Sequence, residues 1–271
     1  MIVDYHMHLR DPGERLEFSV QAVERFLETA ARRSVDEIGF TEHVYYFRQT
    51  AELWNVPYQS ERCVYDLDEY CAAVLEAKGQ GLPVKLGLEV DYVGPRQARL
   101  AELLQPYPFD YLLGSVHWLD GLAFDMDPGI WARMPVEEVW RHYFAALEEL
   151  AGSGFVDALA HPDLAKVFGR RPSPEVTATL HAQAAEAIAA AGVAVEVSTA
   201  GLRKPVGELY PDYGLLRACV VKSVPVTLAS DAHVPALVGQ DFDEALELAV
   251  DAGCETVTVF DSRQARQEPL R

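Results

Sequence analysis

The sequence predicts an α/β protein folded as a closed barrel of parallel strands with helices outside. Three observations carry this. Short β-branched or apolar runs alternate with helical stretches along the chain. No glycine-rich phosphate turn follows the first strand, which argues against a doubly wound sheet. Nitrogen and carboxylate donors recur at the downstream ends of the strands, the end of a parallel barrel where active sites gather.

The first predicted strand, 2–6, runs into Asp4-Tyr5-His6-Met7-His8. Side chains alternate across a strand, so Asp4, His6 and His8 share one face and the two histidines can grip one ion. Asp4 is expected to stand behind them and fix a tautomer. A helix over Val20–Arg33 leads to strand 36–41 and Thr41-Glu42-His43. The connection at 44–65 is long and aromatic, and long loops in compact domains are usually functional. Its Tyr45, Tyr46, Phe47 and Trp54 are candidates to cover a substrate ring. After a helix over Leu67–Gly79, strand 84–90 ends on Glu89, where an unpaired charge would be costly, with Asp91 a candidate for meeting a substrate ammonium.

Strand 111–117 ends on His117, a helix follows over Val136–Gly152, and strand 155–160 delivers His161. A helix over Glu175–Ala191 precedes strand 193–198, and strand 224–230 ends in Ser230-Asp231-Ala232-His233. The helix Phe242–Ala252 comes next, with 255–260 as a candidate eighth strand. Six of the eight histidines thus fall at strand ends. His142 and His181 lie inside helices and are expected to be surface or packing residues. A bridging carboxylate amid neutral imidazoles favours zinc, manganese or iron over calcium or an all-oxygen magnesium site. The set describes a multinuclear hydrolytic metal site.

The chain has 271 residues, 49% of them hydrophobic, which suits a single domain over 1–271 with a large core. A formal charge of −19 repels phosphate backbones and anionic membranes, so neither nucleic acid nor membrane is an expected partner. The absence of a leader pattern or a membrane-length apolar run predicts a soluble, cytoplasmic protein. Cys63, Cys71, Cys219 and Cys254 form no C-x-x-C pair and are expected to be free thiols. In so acidic a chain, local cations are informative. Arg203 and Lys204 follow strand 193–198, and Lys166, Arg170 and Arg171 follow His161. These are candidates for gripping a small anionic substrate.

The strand-end motifs above resemble the polymerase and histidinol phosphatase (PHP) superfamily, and within it the histidinol-phosphate phosphatases. Further support comes from Tyr107-Pro108-Phe109-Asp110-Tyr111, Ala160-His161-Pro162-Asp163-Leu164 and Ser198-Thr199-Ala200-Gly201-Leu202-Arg203. The resemblance covers nearly the whole chain. It implies a distorted (β/α)7, TIM-barrel-like fold with two or three divalent metals at the C-terminal ends of the strands. The implied reaction is hydrolysis of L-histidinol phosphate, a small phosphomonoester, by a metal-activated water. Residue by residue, it places His6, His8, Glu89 and Asp231 on a first metal. Glu89 bridges to a second, held by His117 and His161, while His43 and His233 belong to a third. Where the family has another histidine on that third metal, this chain has Glu14. Asp231, His233 and Glu89 are the expected catalytic groups, with protonation of the leaving alkoxide assigned to Asp231, a histidine or water.

His6-Met7-His8-Leu9-Arg10-Asp11-Pro12-Gly13 also mimics the metal signature of dihydroorotases, which need a carboxylated lysine between their metals. Lys85, at the start of its strand, is poorly placed for that. A cyclic amidohydrolase, a different small-molecule phosphoesterase and a non-catalytic PHP module are the alternatives.

Overall fold

The structure, a computed structural model, describes residues 1–10, 15–119, 121–123, 125–126 and 128–271. Seven parallel strands form one sheet: β1 (Val3–Asp4), β2 (Glu37–Phe40), β3 (Val84–Asp91), β4 (Tyr111–Ser115), β7 (Ala158–Leu159), β8 (Ala194–Ser198) and β9 (Val226–Ala229), neighbours in that order. Between β4 and β7 lies a two-strand ribbon, β5 (Trp118–Leu119) and β6 (Leu122–Ala123). The sheet curls round until its last strand meets its first. Tyr5 N–H donates to Leu228 O at 3.0 Å, His8 N–H donates to Ala232 O at 2.8 Å, and Met7 bridges Ala232. The result is the expected distorted seven-stranded barrel.

The helices are α1 (Val20–Arg32), α2 (Pro57–Ser60), α3 (Leu67–Gly79), α4 (Gln97–Leu104), α5 (Ile130–Arg133), α6 (Val136–Gly152), α7 (Pro174–Ala191), α8 (Tyr213–Val221) and α9 (Phe242–Asp251). Local chemistry sets several ends. Ser19 Oγ caps α1 by accepting from Ala22 N, and Asp66 caps α3 by accepting from Asp68 N. The helix α7 begins with Ser173 and Pro174 and stops at Gly192, whose φ of 72° suits a residue without a Cβ. No helix among the described residues is long and apolar enough to cross a membrane. The cysteines are free, Cys71 and Cys219 buried, Cys63 and Cys254 partly so.

The candidate eighth strand is a strand, but it stays out of the barrel. Residues Thr256–Asp261 (β10) pair antiparallel with Gln264–Pro269 (β11). This hairpin covers the N-terminal ends of the barrel strands. Phe260 stacks on Tyr111 with ring centroids 5.3 Å apart and lies 5.9 Å from the Tyr5 ring. Thr227 Oγ1 donates to Thr258 O, and Lys85 pairs with Asp261 at 3.0 Å. Glycine makes room inside: a Cβ on Gly87 would stand 2.6 Å from the Tyr111 ring and 2.8 Å from a Thr41 methyl. The hairpin and the stacked aromatics fill one end of the barrel, leaving the other for polar groups.

Candidate metal centre

Six histidines and two carboxylates converge at the C-terminal end of the barrel, with Glu89 at their middle. Glu89 is fully buried near the end of β3. Its Oε2 lies 3.5 Å from His6 Nε2, 3.9 Å from His8 Nε2 and 2.6 Å from His43 Nδ1. Its Oε1 lies 3.4 Å from His117 Nε2 and 3.3 Å from His161 Nε2. Each oxygen thus faces a different set of imidazoles. Asp231 Oδ1 completes the near side, 3.7 Å from His6 Nε2, 3.3 Å from His8 Nε2 and 3.4 Å from His233 Nδ1. Among the described residues, donor atoms within 4.8 Å of one another form the groups His6/His8/Asp231, His6/Glu89/His161, His8/His43/His233 and His43/Asp91/His117.

These groups face one another without bonding. His6 Nε2, both nitrogens of His8, His43 Nδ1 and both oxygens of Glu89 are buried and have no hydrogen-bond partner. His43 Nδ1 and Glu89 are close, but the approach lies off the hydrogen-bonding direction. Orphaned buried polar atoms are costly and rare in native proteins. Two ligand atoms each ~2.1 Å from a tetrahedral ion stand ~3.4 Å apart, and most contacts around Glu89 and Asp231 fall near that spacing. The donor set therefore fits divalent metal.

Electrostatics agree. Burial pushes the Glu89 carboxyl up, but His43, His117 and His6 outweigh it and hold the group well below its ordinary range. Burial works the same way on Asp231, and His6, His233 and His8 hold it well below normal. Burial, together with the neighbouring cationic rings, keeps His233 well below its usual value. Asp231 and His233 are thus in basic forms at neutral pH.

Partners behind the cluster set the ring orientations. His6 turns Nδ1 to Glu196 at 3.0 Å, and the same carboxylate accepts from His161 N–H at 2.7 Å. His117 turns Nδ1 to Asp91 Oδ1 at 2.9 Å, so Asp91 holds that ring, while its Oδ2 is buried without a partner. Asp4 does not fix a histidine tautomer. Its carboxylate accepts from Ser230 N and Oγ at 2.8 and 2.6 Å and from Gly239 N at 2.8 Å, pinning the turn that carries Asp231. That turn is strained, with φ of 52° at Asp231, and His161 has φ of 27°. Left-handed non-glycine residues cluster at functional sites, where the surroundings hold the strain.

Sequence reasoning missed Glu196. Its signal was present: a glutamate inside the apolar run Ala194-Val195-Glu196-Val197 has the same burial cost that singled out Glu89. Glu14 lies outside the described residues. His142 is exposed on α6, whereas His181 is buried on α7, 3.7 Å from Asp212, a packing residue.

The cluster opens on a cavity of about 110 Å³ whose lining includes Arg10, His43, Tyr46, His117, Asp125 and His233. Tyr45 also lines it and stacks on His43 at 4.9 Å. Phe47 packs inward against Tyr70, and Trp54 donates to Thr50, so neither covers this opening. A larger cavity, about 770 Å³, lies to the side between Trp54, Tyr92 and α6, away from the donor cluster.

The expected substrate cations separate. Arg203 is half-buried beside the cluster, donating to Ser230 O and, at 3.3 and 3.4 Å, to Thr199 O and Oγ1. Lys204 is half-buried next to it and does not line the cavity. Lys166 is fully buried, 2.8 Å from Asp163 and donating to Leu209 O, so its ammonium is consumed by the scaffold and does not open on the cluster. Arg170 is exposed and lines none of this cavity, and Arg171 pairs with Glu208. Lys85 sits with Glu37 and Asp261 at the opposite end of the barrel, where it cannot bridge metals as a dihydroorotase lysine would.

Known proteins share this arrangement of the chain. A protein of Deinococcus radiodurans named probable histidinol-phosphatase is 33% identical over 263 residues, covering 95% of this chain and 96% of its own. The Bacillus subtilis histidinol-phosphatase is 26% identical over 253 residues, 84% of this chain and 93% of that one. Among solved structures, the Lactococcus lactis histidinol phosphate phosphatase, complexed with zinc, L-histidinol and phosphate, superposes with a TM-score of 0.76. It is 19% identical and is matched over 98% of both chains. The PHP domain itself matches residues 4–200, from the first strand of the barrel to the turn after β8, and the chain belongs to that family.

Proposed function

We propose that this chain is a single-domain, metal-dependent phosphomonoesterase that hydrolyses L-histidinol phosphate to L-histidinol and inorganic phosphate. The observation that carries the reading is the pair of orphaned Glu89 oxygens, each turned to its own imidazoles, a geometry suited to a carboxylate shared by two ions. Whole-length similarity to histidinol-phosphatases supports the choice of substrate.

His6, His8, Glu89 and Asp231 would hold one ion, Glu89, His117 and His161 a second, and His43 with His233 a third. Zinc suits the set, as do manganese and iron. Such ions supply a water of lowered pKa and neutralise charge on the phosphoryl group. The protein's part is positional. Glu196 and Asp91 orient His6 and His117, and Tyr45, Tyr46 and Trp118 wall the small cavity beside the donors. Arg203, bonded to Ser230 O beside the cluster though not in the cavity lining, is a further candidate phosphate contact. Protonation of the departing alcohol is assigned to Asp231, a histidine such as His233, or water.

The test is phosphate release by protein of measured metal content, with L-histidinol phosphate, an aryl phosphate and dihydroorotate in parallel. Preference for histidinol phosphate that vanishes with a chelator is expected. Release from neither ester by loaded protein, the behaviour of a non-catalytic module, would refute the reading, as would faster opening of dihydroorotate.

A further inference from the structure

Arg10 stands two residues past His8, where the first strand leaves the barrel, and its side chain is half-buried in the wall of the cavity. It shares that wall with His43, His117 and His233. One guanidinium nitrogen, Nη2, donates to Tyr46 Oη at 2.7 Å, and the Tyr46 ring lies 5.5 Å from the guanidinium carbon. The Nε is buried and has no partner.

In this chain of net charge −19, some arginines meet carboxylates, as Arg25 meets Glu17, Arg99 Glu52 and Arg263 Asp157, while others, such as Arg33 and Arg217, donate to backbone carbonyls. Arg10 has no carboxylate within ion-pair distance among the described residues. A buried guanidinium N–H without a partner, like that at Nε, is expensive unless an acceptor completes it. The cavity beside it is small, polar and rich in metal donors, a setting for a phosphoryl group, and the carboxylate in its wall, Asp125, forms no ion pair with Arg10. Arg203, by comparison, already spends donors on Ser230 and Thr199.

We propose that Arg10, in the cavity wall, grips the substrate's phosphoryl oxygens, with Tyr46 holding the guanidinium in place. This rests on the phosphomonoesterase reading of the same cavity. The planar fork meets two oxygens at once, which an ammonium cannot do. It also answers the repulsion that so acidic a protein offers to a phosphate ester.

The test is calorimetric titration of inorganic phosphate into metal-loaded parent, Arg10→Gln and Arg10→Lys proteins, with metal content and melting temperature measured in each. Arg10→Gln should bind phosphate at least tenfold more weakly, and KM for histidinol phosphate should rise by a similar factor. Metal content should not change, and Arg10→Lys should recover part of the loss. Phosphate affinity within twofold of the parent in both variants overturns the proposal. If Arg10→Gln does not fold, Arg10→Lys decides alone: a loss of several-fold supports the fork, and parental affinity overturns it. Because binding is read without turnover, a parent that binds phosphate through Arg10 yet releases none from histidinol phosphate refutes the enzymatic reading and leaves this one standing.

Discussion

Replacing Glu196 with glutamine tests whether the metal centre depends on the residues behind it. In the parent, one carboxylate accepts from both His6 Nδ1, at 3.0 Å, and His161 N–H, at 2.7 Å, with all partners buried. An amide keeps one oxygen but turns its NH2 toward the second donor, so one bond is lost and the other loses its charge assistance. A hydrogen bond to a charged group contributes about 1.5–3 kcal/mol and a neutral one about 0.5–1.5. The combined loss is about 3 kcal/mol, on the order of a hundredfold in metal affinity, at the upper end of the range seen for partners of this kind. Competition for zinc with a chromophoric chelator measures it, with circular dichroism to check the fold. Affinity within twofold of the parent, in a folded variant, would show that Glu196 does not set the His6 orientation and that the donor cluster organises itself.

Other outcomes follow from the same geometry. Glu89→Ala should nearly abolish turnover and lower metal content by more than one ion per chain, because both of its oxygens are lost at once, while the exposed His142→Ala should change neither. Equal stoichiometry in Glu89→Ala and the parent would contradict the shared ligand. Arg203→Ala should lower kcat/KM by ten- to a hundredfold, from a contact of about 1.5–3 kcal/mol, with lysine restoring only part. The melting temperature should also fall, since the guanidinium holds Ser230 O; unchanged kinetics would return Arg203 to a purely structural role. Metal loading should release protons at pH 7. Burial alone would lower the His117 pKa, but Glu89 and Asp91 outweigh it and raise it to about 10. The metal-free ring is therefore protonated at neutral pH, an ion at Nε2 must displace that proton, and affinity should climb as pH rises toward 10. A pH-stat trace with no net release would count against His117 as a ligand.

Much of this was legible in the sequence, and the failures have physical causes. Strand-end donors such as His6, Glu89 and His117 stand out because a polar group closing an apolar run needs a partner. Glu196 obeys the same rule but hides inside its run, where alternation suggests a solvent-facing side chain. In a barrel covered by helices neither strand face meets water, and the residue is fully buried. Asp4 was read by alternation as sharing the face of His6. Yet β1 lasts only two residues before the chain bends, and the carboxylate turns to Ser230 and Gly239. Lys166 looked like a loop cation, although Asp163, three residues earlier, was its partner. Residues 255–260 have a strand's composition, but their partner 264–269 is polar and reads as no strand, so the antiparallel pairing was invisible.

The hairpin that plugs the far end of the barrel gives the enzyme a kinetic character. With Phe260 stacked on Tyr111 beneath the strands, the N-terminal end of the barrel is filled, and among the described residues the donor cluster opens at the other end. If the phosphoryl group sits against the donor cluster with the alcohol toward the opening, the alcohol departs first and phosphate last. Ordered release of this kind has a signature in steady-state rates: phosphate inhibits competitively against the ester, and the alcohol inhibits noncompetitively.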